Sequence, residues 1–182
     1  MGRRIILNTE RLTLTTWLPS DFEDLAALHA DALTMRFIGY GRPDTRDEAQ
    51  SRLDGYLDEQ RTRGWTKWRV ENHGGDMIGR AGFGEFDSSR ELAYAFRRDQ
   101  WGNGLATEVA SALVDWHFEY PAFDLSSRGL CAHVEAGHRA SMRVLEKVGF
   151  DFVDMREYKG VTCAFFQFPV VALPGPAGKS DA

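Results

Sequence analysis

The sequence predicts a single mixed α+β domain, and three observations carry that reading. Strand-like patterns follow one another from Trp65 to Phe96, whereas helix, strand, helix and strand patterns alternate after it. The 182 residues fit one domain that buries roughly two-thirds of its unfolded surface. The 43% apolar and 27% charged content, with no internal repeat, is that of a globular chain with a core of its own. The expected architecture is a mixed central sheet flanked by helices, with antiparallel strands first and helix-linked strands later.

Leu12, Leu14 and Thr16 alternate as in a strand, and Ser20-Asp21-Phe22-Glu23 offers a capping box for a helix with Phe22, Leu25, Ala26 and His29 on one face. A second box, Thr45-Arg46-Asp47-Glu48, follows Pro43 and opens a helix whose inner face is Ala49, Leu53, Tyr56 and Leu57. Trp65–Val70 and Met77–Phe83, joined by the turn His73-Gly74-Gly75-Asp76, read as an antiparallel hairpin. The polar link Asp87-Ser88-Ser89-Arg90 precedes a strand over Leu92–Phe96. Leu105, Val109, Leu113 and Trp116 recur at helical spacing, Leu130–Val134 is a short strand, and Val144, Leu145 and Val148 mark the next helix, which Gly149 and Phe150 end. Phe152, Val153 and the run Thr162–Phe168 supply the last strands. The domain is expected over residues 8–170, with 171–182, rich in Pro, Gly and Ala, as a flexible tail.

Composition excludes several classes of function. With 22 basic and 27 acidic side chains, the formal charge of −5 gives no general attraction to nucleic acid or to anionic lipid. No run of eighteen apolar residues is present, and the three-residue apolar run Ile5-Ile6-Leu7 is too short for a signal-peptide core. Cys131 and Cys163 both fall in strand-like stretches, which suits buried thiols in a reducing compartment. A cytoplasmic monomer or homodimer is expected.

One loop carries chemistry. In Trp101-Gly102-Asn103-Gly104-Leu105-Ala106-Thr107-Glu108 a glycine-bearing turn leads from a strand into a helix N-terminus, where unpaired backbone N–H groups and the helix dipole favour an anion. A nucleoside-triphosphate loop would need Gly-Lys-Ser/Thr, and no lysine lies between Arg97 and Glu108. A dinucleotide fingerprint would need a third glycine where Thr107 stands. Glu108, in the first helical turn, is expected to complement the dipole. Two histidines, His133 and His138, do not make a metal site, and no metal is expected.

Glu91-Leu92-Ala93-Tyr94-Ala95-Phe96, followed by the loop, resembles the signature of the GNAT acetyltransferases. The resemblance is closest to the branch containing ribosomal-protein N-terminal acetyltransferases and runs from Glu10-Arg11-Leu12-Thr13-Leu14 to Ser141-Met142-Arg143-Val144-Leu145-Glu146-Lys147-Val148-Gly149-Phe150. It implies acetyl-CoA as donor, bound through Trp101, Gly102, Asn103, Gly104, Leu105, Ala106, Thr107 and His138, with the pyrophosphate on the amides from Gly102 to Thr107. The pantetheine arm would then pair with Tyr94, Ala95 and Phe96 in a gap between two splayed parallel strands, with Leu130–Val134 across that gap. Three positions depart from the family: Trp101 replaces a frequent Gln or Arg, His138 replaces an Asn that contacts the cofactor, and Leu145 stands where many relatives carry a general-acid Tyr.

The resemblance thus implies acetyl transfer to a primary amine, a protein N-terminus or a small molecule, by direct attack in a ternary complex. Ser141 is the candidate to protonate the coenzyme sulfur and Glu91 the candidate base, with His133 and Glu135 as outside candidates for the same work. The rival role for Ser141 is a helix-start serine bonded to backbone amides, and for Glu91 a solvated strand end. Phe37, Tyr40, Trp65 and Trp68 are candidates for an acceptor pocket or for the core. The alternative function is a catalytically idle acyl-CoA sensor of the same fold.

Overall fold

The Asn72 side-chain carbonyl accepts hydrogen bonds from the backbone N–H of Gly74 (2.9 Å) and of Asp76 (3.0 Å), and Gly75 takes φ +85°, so the chain reverses where the sequence places a turn. This is the hairpin between β3 (Lys67–Asn72) and β4 (Met77–Phe86) in a computed structural model that describes residues 2–87, 89–119 and 129–169. The expected tail, 171–182, lies outside the described residues.

Eight strands form one sheet. The others are β1 (Ile5–Asn8), β2 (Leu12–Thr15), β5 (Ser89–Phe96), β6 (Gly129–Glu135), β7 (Asp151–Tyr158) and β8 (Val161–Gln167), in the order β1-β2-β3-β4-β5-β6-β8-β7. Every neighbouring pair is antiparallel except β5 and β6, which are parallel. The sheet is therefore the mixed one expected. β5 starts three residues earlier than the sequence suggested: Ser89 and Arg90, the second half of the polar link, already pair with Phe86 and Glu85.

Helices α1 (Phe22–Ala30), α2 (Ala32–Met35) and α3 (Arg46–Thr62) precede the hairpin, and α4 (Leu105–Glu119) and α5 (Arg139–Lys147) flank β6 in sequence. The Thr45–Glu48 box forms in both directions and starts α3. The box expected at Ser20 does not. Asp21, 4% exposed, instead accepts from Leu18 N–H at 2.8 Å and from the Arg3 guanidinium, and Pro19–Asp21 makes a single 3-10 turn ahead of α1. A buried ion pair with hydrogen bonds outcompetes a local cap. Gly149, at φ +95°, ends α5 as expected, with Gly149 N–H on the Glu146 carbonyl and Phe150 N–H on that of Leu145.

α4 and α5 cover one face of the sheet, burying Leu105, Val109, Leu113 and Leu145 against Leu14, Trp68, Phe83, Leu92 and Phe166. α1 and α3 bury a smaller cluster, Leu25, Leu28, Leu53 and Tyr56, with Trp17 and Met77 on the other face. A buried relay fixes that second layer: Arg80 Nε donates to His29 Nε2 (3.0 Å), and His29 Nδ1 meets Asp44 (2.8 Å), which also takes Arg52. Burial, and the Arg80 charge after it, push the His29 pKa down to about 3, so the ring is neutral and donates from Nδ1.

Candidate active site

Gly102 and Gly104 both adopt φ +78°, a region open to glycine, and a Cβ at Gly102 would meet nothing within 4 Å. Residues 101–104 are exposed, while Leu105 is buried and anchors the start of α4. The Trp101 indole N–H donates to the Phe96 carbonyl at 2.9 Å, which closes the loop onto the end of β5. Among the described residues, no backbone N–H from Gly102 to Thr107 is spent on another hydrogen bond. The loop thus presents a row of unpaired donors at a helix N-terminus.

Glu108 does not face that row. Its carboxylate accepts from the Thr9 hydroxyl, from Arg11 N–H (2.9 Å) and from Arg11 Nε (2.7 Å). Burial raises its pKa, but the hydrogen bonds from Thr9 and Arg11 outweigh this and hold it below the usual range. Glu108 keeps its expected place in the first turn of α4 and also ties the β1–β2 turn to that helix. The remaining arm of Arg11, Nη1, donates to the Asn103 carbonyl at 2.8 Å. A peptide unit is planar with C=O and N–H opposed, so holding that oxygen turns the Gly104 N–H away from Arg11.

The parallel pair supplies the cleft. β5 and β6 are in register only at Ser89/Gly129, Arg90/Leu130 and Glu91/Cys131. Beyond Glu91 the strands part, so Tyr94, Ala95 and Phe96 pair with β4 alone; Leu130 and Cys131, expected across the gap, still pair with β5, and only 132–134 of that expected stretch run across it. Backbone groups on the open side of β5 have no strand partner, except that the Phe96 carbonyl holds Trp101.

Glu91 stands at the apex of this V with its side chain 14% exposed. His133 Nδ1 meets its Oε1 at 2.8 Å, and the Tyr158 hydroxyl donates to its Oε2 at 3.1 Å. The His133 ring lies parallel to Tyr158 at 3.8 Å between centroids, with Phe86 at 4.5 Å and Phe165 at 4.8 Å. Lys67, from β3, reaches the same face. A Cβ on Gly84 would lie 3.1 Å from its Nζ and 3.5 Å from Glu91 Oε2. Burial, then the Arg80 charge, lowers the Lys67 pKa to about 8, while burial and the Glu91 charge raise that of Tyr158. Glu135, two residues along β6, makes no hydrogen bond to this cluster and pairs in register with Cys163.

On the opposite face, the Tyr94 hydroxyl and Ser141 Oγ lie 2.8 Å apart. Burial pushes the Tyr94 pKa up to about 12, so the phenol keeps its proton. Ser141 is not a capping serine. His138 is the N-cap of α5, and its Nδ1 accepts from Ser141 N–H at 3.2 Å. Burial lowers the His138 pKa, which suits a nitrogen that must accept, and its ring packs on Phe37 at 4.3 Å.

The Acetyltransferase (GNAT) domain profile matches residues 11–151. The chain belongs to this family. It is 30% identical to the Bacillus subtilis protein YkkB over 140 residues, covering 67% of this chain and 77% of YkkB. The solved acetyltransferase of Agrobacterium tumefaciens superposes with a TM-score of 0.75 at 23% identity, covering 90% of this chain and 93% of that one. RimL, the ribosomal L7/L12 alpha-N-protein acetyltransferase solved with coenzyme A, superposes with a TM-score of 0.74 at 15% identity, covering 90% and 97%. Likeness at such identities shows the fold alone.

Within this GNAT fold, Leu145 is 1% exposed in the core and offers no acid. Of the aromatic candidates, Trp68 is fully buried among Phe83 and Trp116, and Trp65 packs beside Arg90, so both serve packing. Tyr40 is 77% exposed and carries Arg42 on its ring, which leaves Phe37, against His138, beside the site. Sequence reasoning missed Arg11, Thr9, Lys67 and Tyr158. Arg11 sits in the turn between β1 and β2, Lys67 begins β3, and Tyr158 reaches Glu91 across a separation of 67 residues, so no local signal marks any of them. Both cysteines are buried and free. Burial, then Glu91, pushes the Cys131 thiol up to about 12, which opposes a thiolate nucleophile.

Proposed function

We propose that this protein transfers the acetyl group of acetyl-CoA to a primary amine by direct attack in a ternary complex. One observation carries the reading: a row of unpaired amides, Gly102 to Thr107, opens beside a V whose strands part at Glu91 and Cys131. These amides would hold the pyrophosphate. The open edge of β5 at Tyr94 and Ala95 would hold the pantetheine arm and bring the thioester toward the apex.

Glu91 and Tyr94 are three residues apart on one strand and so face opposite sides of the sheet. The amine would lose its proton to the Glu91–His133 cluster on the α1/α3 face. Ser141, backed by Tyr94, would give one to the departing sulfur from the α5 face. His138 supports this arrangement as the cap that sets the start of α5. Two buried free thiols fit a reducing, cytoplasmic setting, and among the described residues no helix is long and apolar enough to cross a membrane.

The test is thiol release from acetyl-CoA with three acceptors, a peptide with a free amino terminus, spermidine and ribostamycin. The peptide is included because of the likeness to RimL. Release above the amine-free rate with one of them is expected. CoA uptake without turnover on every acceptor would instead favour an acyl-CoA sensor.

A further inference from the structure

We propose that His133, rather than Glu91, is the group that meets the amine, and that Glu91 is its positioning residue; this rests on the acetyl-transfer reading above. The argument begins with hydrogen-bond capacity. An ionised carboxylate can only accept. Glu91 Oε1 is engaged by His133 Nδ1 and Oε2 by the Tyr158 hydroxyl, so each oxygen faces one donor and keeps a second lone pair, and the carboxylate is held in place by both neighbours. In the tautomer that donates from Nδ1 to Glu91, the imidazole presents a lone pair on Nε2. That atom is buried and has no hydrogen-bond partner among the described residues.

A side chain that is 2% exposed with an unpaired nitrogen is costly, because folded chains pair nearly all such atoms. The cost here buys no packing that phenylalanine could not supply. The ring already sits among Phe86, Tyr158 and Phe165, and those contacts fix its plane as firmly as Glu91 fixes its tautomer. Its position is equally specific. His133 lies two residues past Cys131, the last β6 residue in register with β5, so it is the first residue of the opened strand to share a face with Glu91.

The step balances as follows. The amine nitrogen forms a bond to the thioester carbon, and the C–S bond breaks with its electron pair leaving on sulfur. The proton shed by nitrogen goes to His133 Nε2, while sulfur takes one from the Ser141 hydroxyl. Solvent refills the Tyr94–Ser141 pair as the imidazolium releases its proton, so amine and thioester become amide and thiol. Glu91 keeps its charge throughout and stabilises the imidazolium, as a carboxylate does behind a catalytic histidine.

Thiol release with the acceptor that turns over best tests this. His133→Asn keeps an N–H where Nδ1 donates to Glu91 but removes Nε2. It should lower kcat about 100-fold while the KM for acetyl-CoA stays within about twofold. His133→Gly should regain turnover when imidazole is added, a response that lost packing alone would not give. Glu91→Gln should cost less than His133→Asn. The proposal is overturned if His133→Asn retains turnover while Glu91→Gln abolishes it, or if folded His133→Gly ignores imidazole. Should the wild type bind CoA yet release no thiol with any acceptor, the acetyl-transfer reading falls first and the dyad with it.

Discussion

The two sides of the cleft are made of different material. On the proposed donor side the groups that would bind are main-chain N–H groups from one run of six residues, shaped by two left-handed glycines and one guanidinium. On the acceptor side they are side chains, Lys67, Glu91, His133 and Tyr158, delivered by four separate strands. The contrast separates two kinds of robustness. Only proline removes a backbone N–H, so to every other substitution the donor side is vulnerable mainly through its backbone conformation. The acceptor side depends on each side chain singly, and a change of one residue there alters the chemistry while leaving the cofactor in place.

The strongest challenge to this contrast is Gly104→Glu. It forces a side chain into φ +78° and sets a carboxylate where the diphosphate would lie. CoA at a hundred times its Kd should stabilise the wild type by about 2.7 kcal/mol and the variant not at all, measured by thermal unfolding. Retained stabilisation would count against the loop. Ser141→Ala, on the acid side, should lower kcat by roughly 2 kcal/mol in barrier terms, with the KM for acetyl-CoA unchanged. Unaltered turnover would remove Ser141 from proton transfer.

Arg11→Met refines the donor side. Freeing the Asn103 carbonyl should raise the KM for acetyl-CoA by about tenfold, near 1.4 kcal/mol, and leave kcat alone. With S-acetyl-pantetheine, which lacks the diphosphate, wild type and variant should behave alike. An equal loss with both donors would mean that Arg11 only braces the fold.

The same contrast explains what the sequence made legible. Gly102, Gly104 and the helix start lie within one octapeptide, and positive φ, amide exposure and dipole are all local consequences of those residues. The Thr45–Glu48 box and the Gly149 stop form for the same local reason. The acceptor side depends on strand register. Glu91 was visible as a strand-end acid, but its bonds to His133 and Tyr158 exist only once β6 and β7 are in place.

Local signals fail where a tertiary partner outbids them. Ser20 lost its cap to the Arg3–Asp21 pair. The start of α5 shows the exchange within four residues. His138 caps the helix, and Ser141, whose rival role was capping, bonds Tyr94 instead.

The central claim, that backbone donors of the loop grip the coenzyme, is tested most directly by titrating ¹⁵N-labelled protein with CoA and following amide resonances. Those of Gly102 through Thr107 should shift together along one saturating curve, with Asn103 and Gly104 among the largest movements. If these signals stay fixed while resonances elsewhere saturate, or if none moves, the loop does not bind the coenzyme and the account fails.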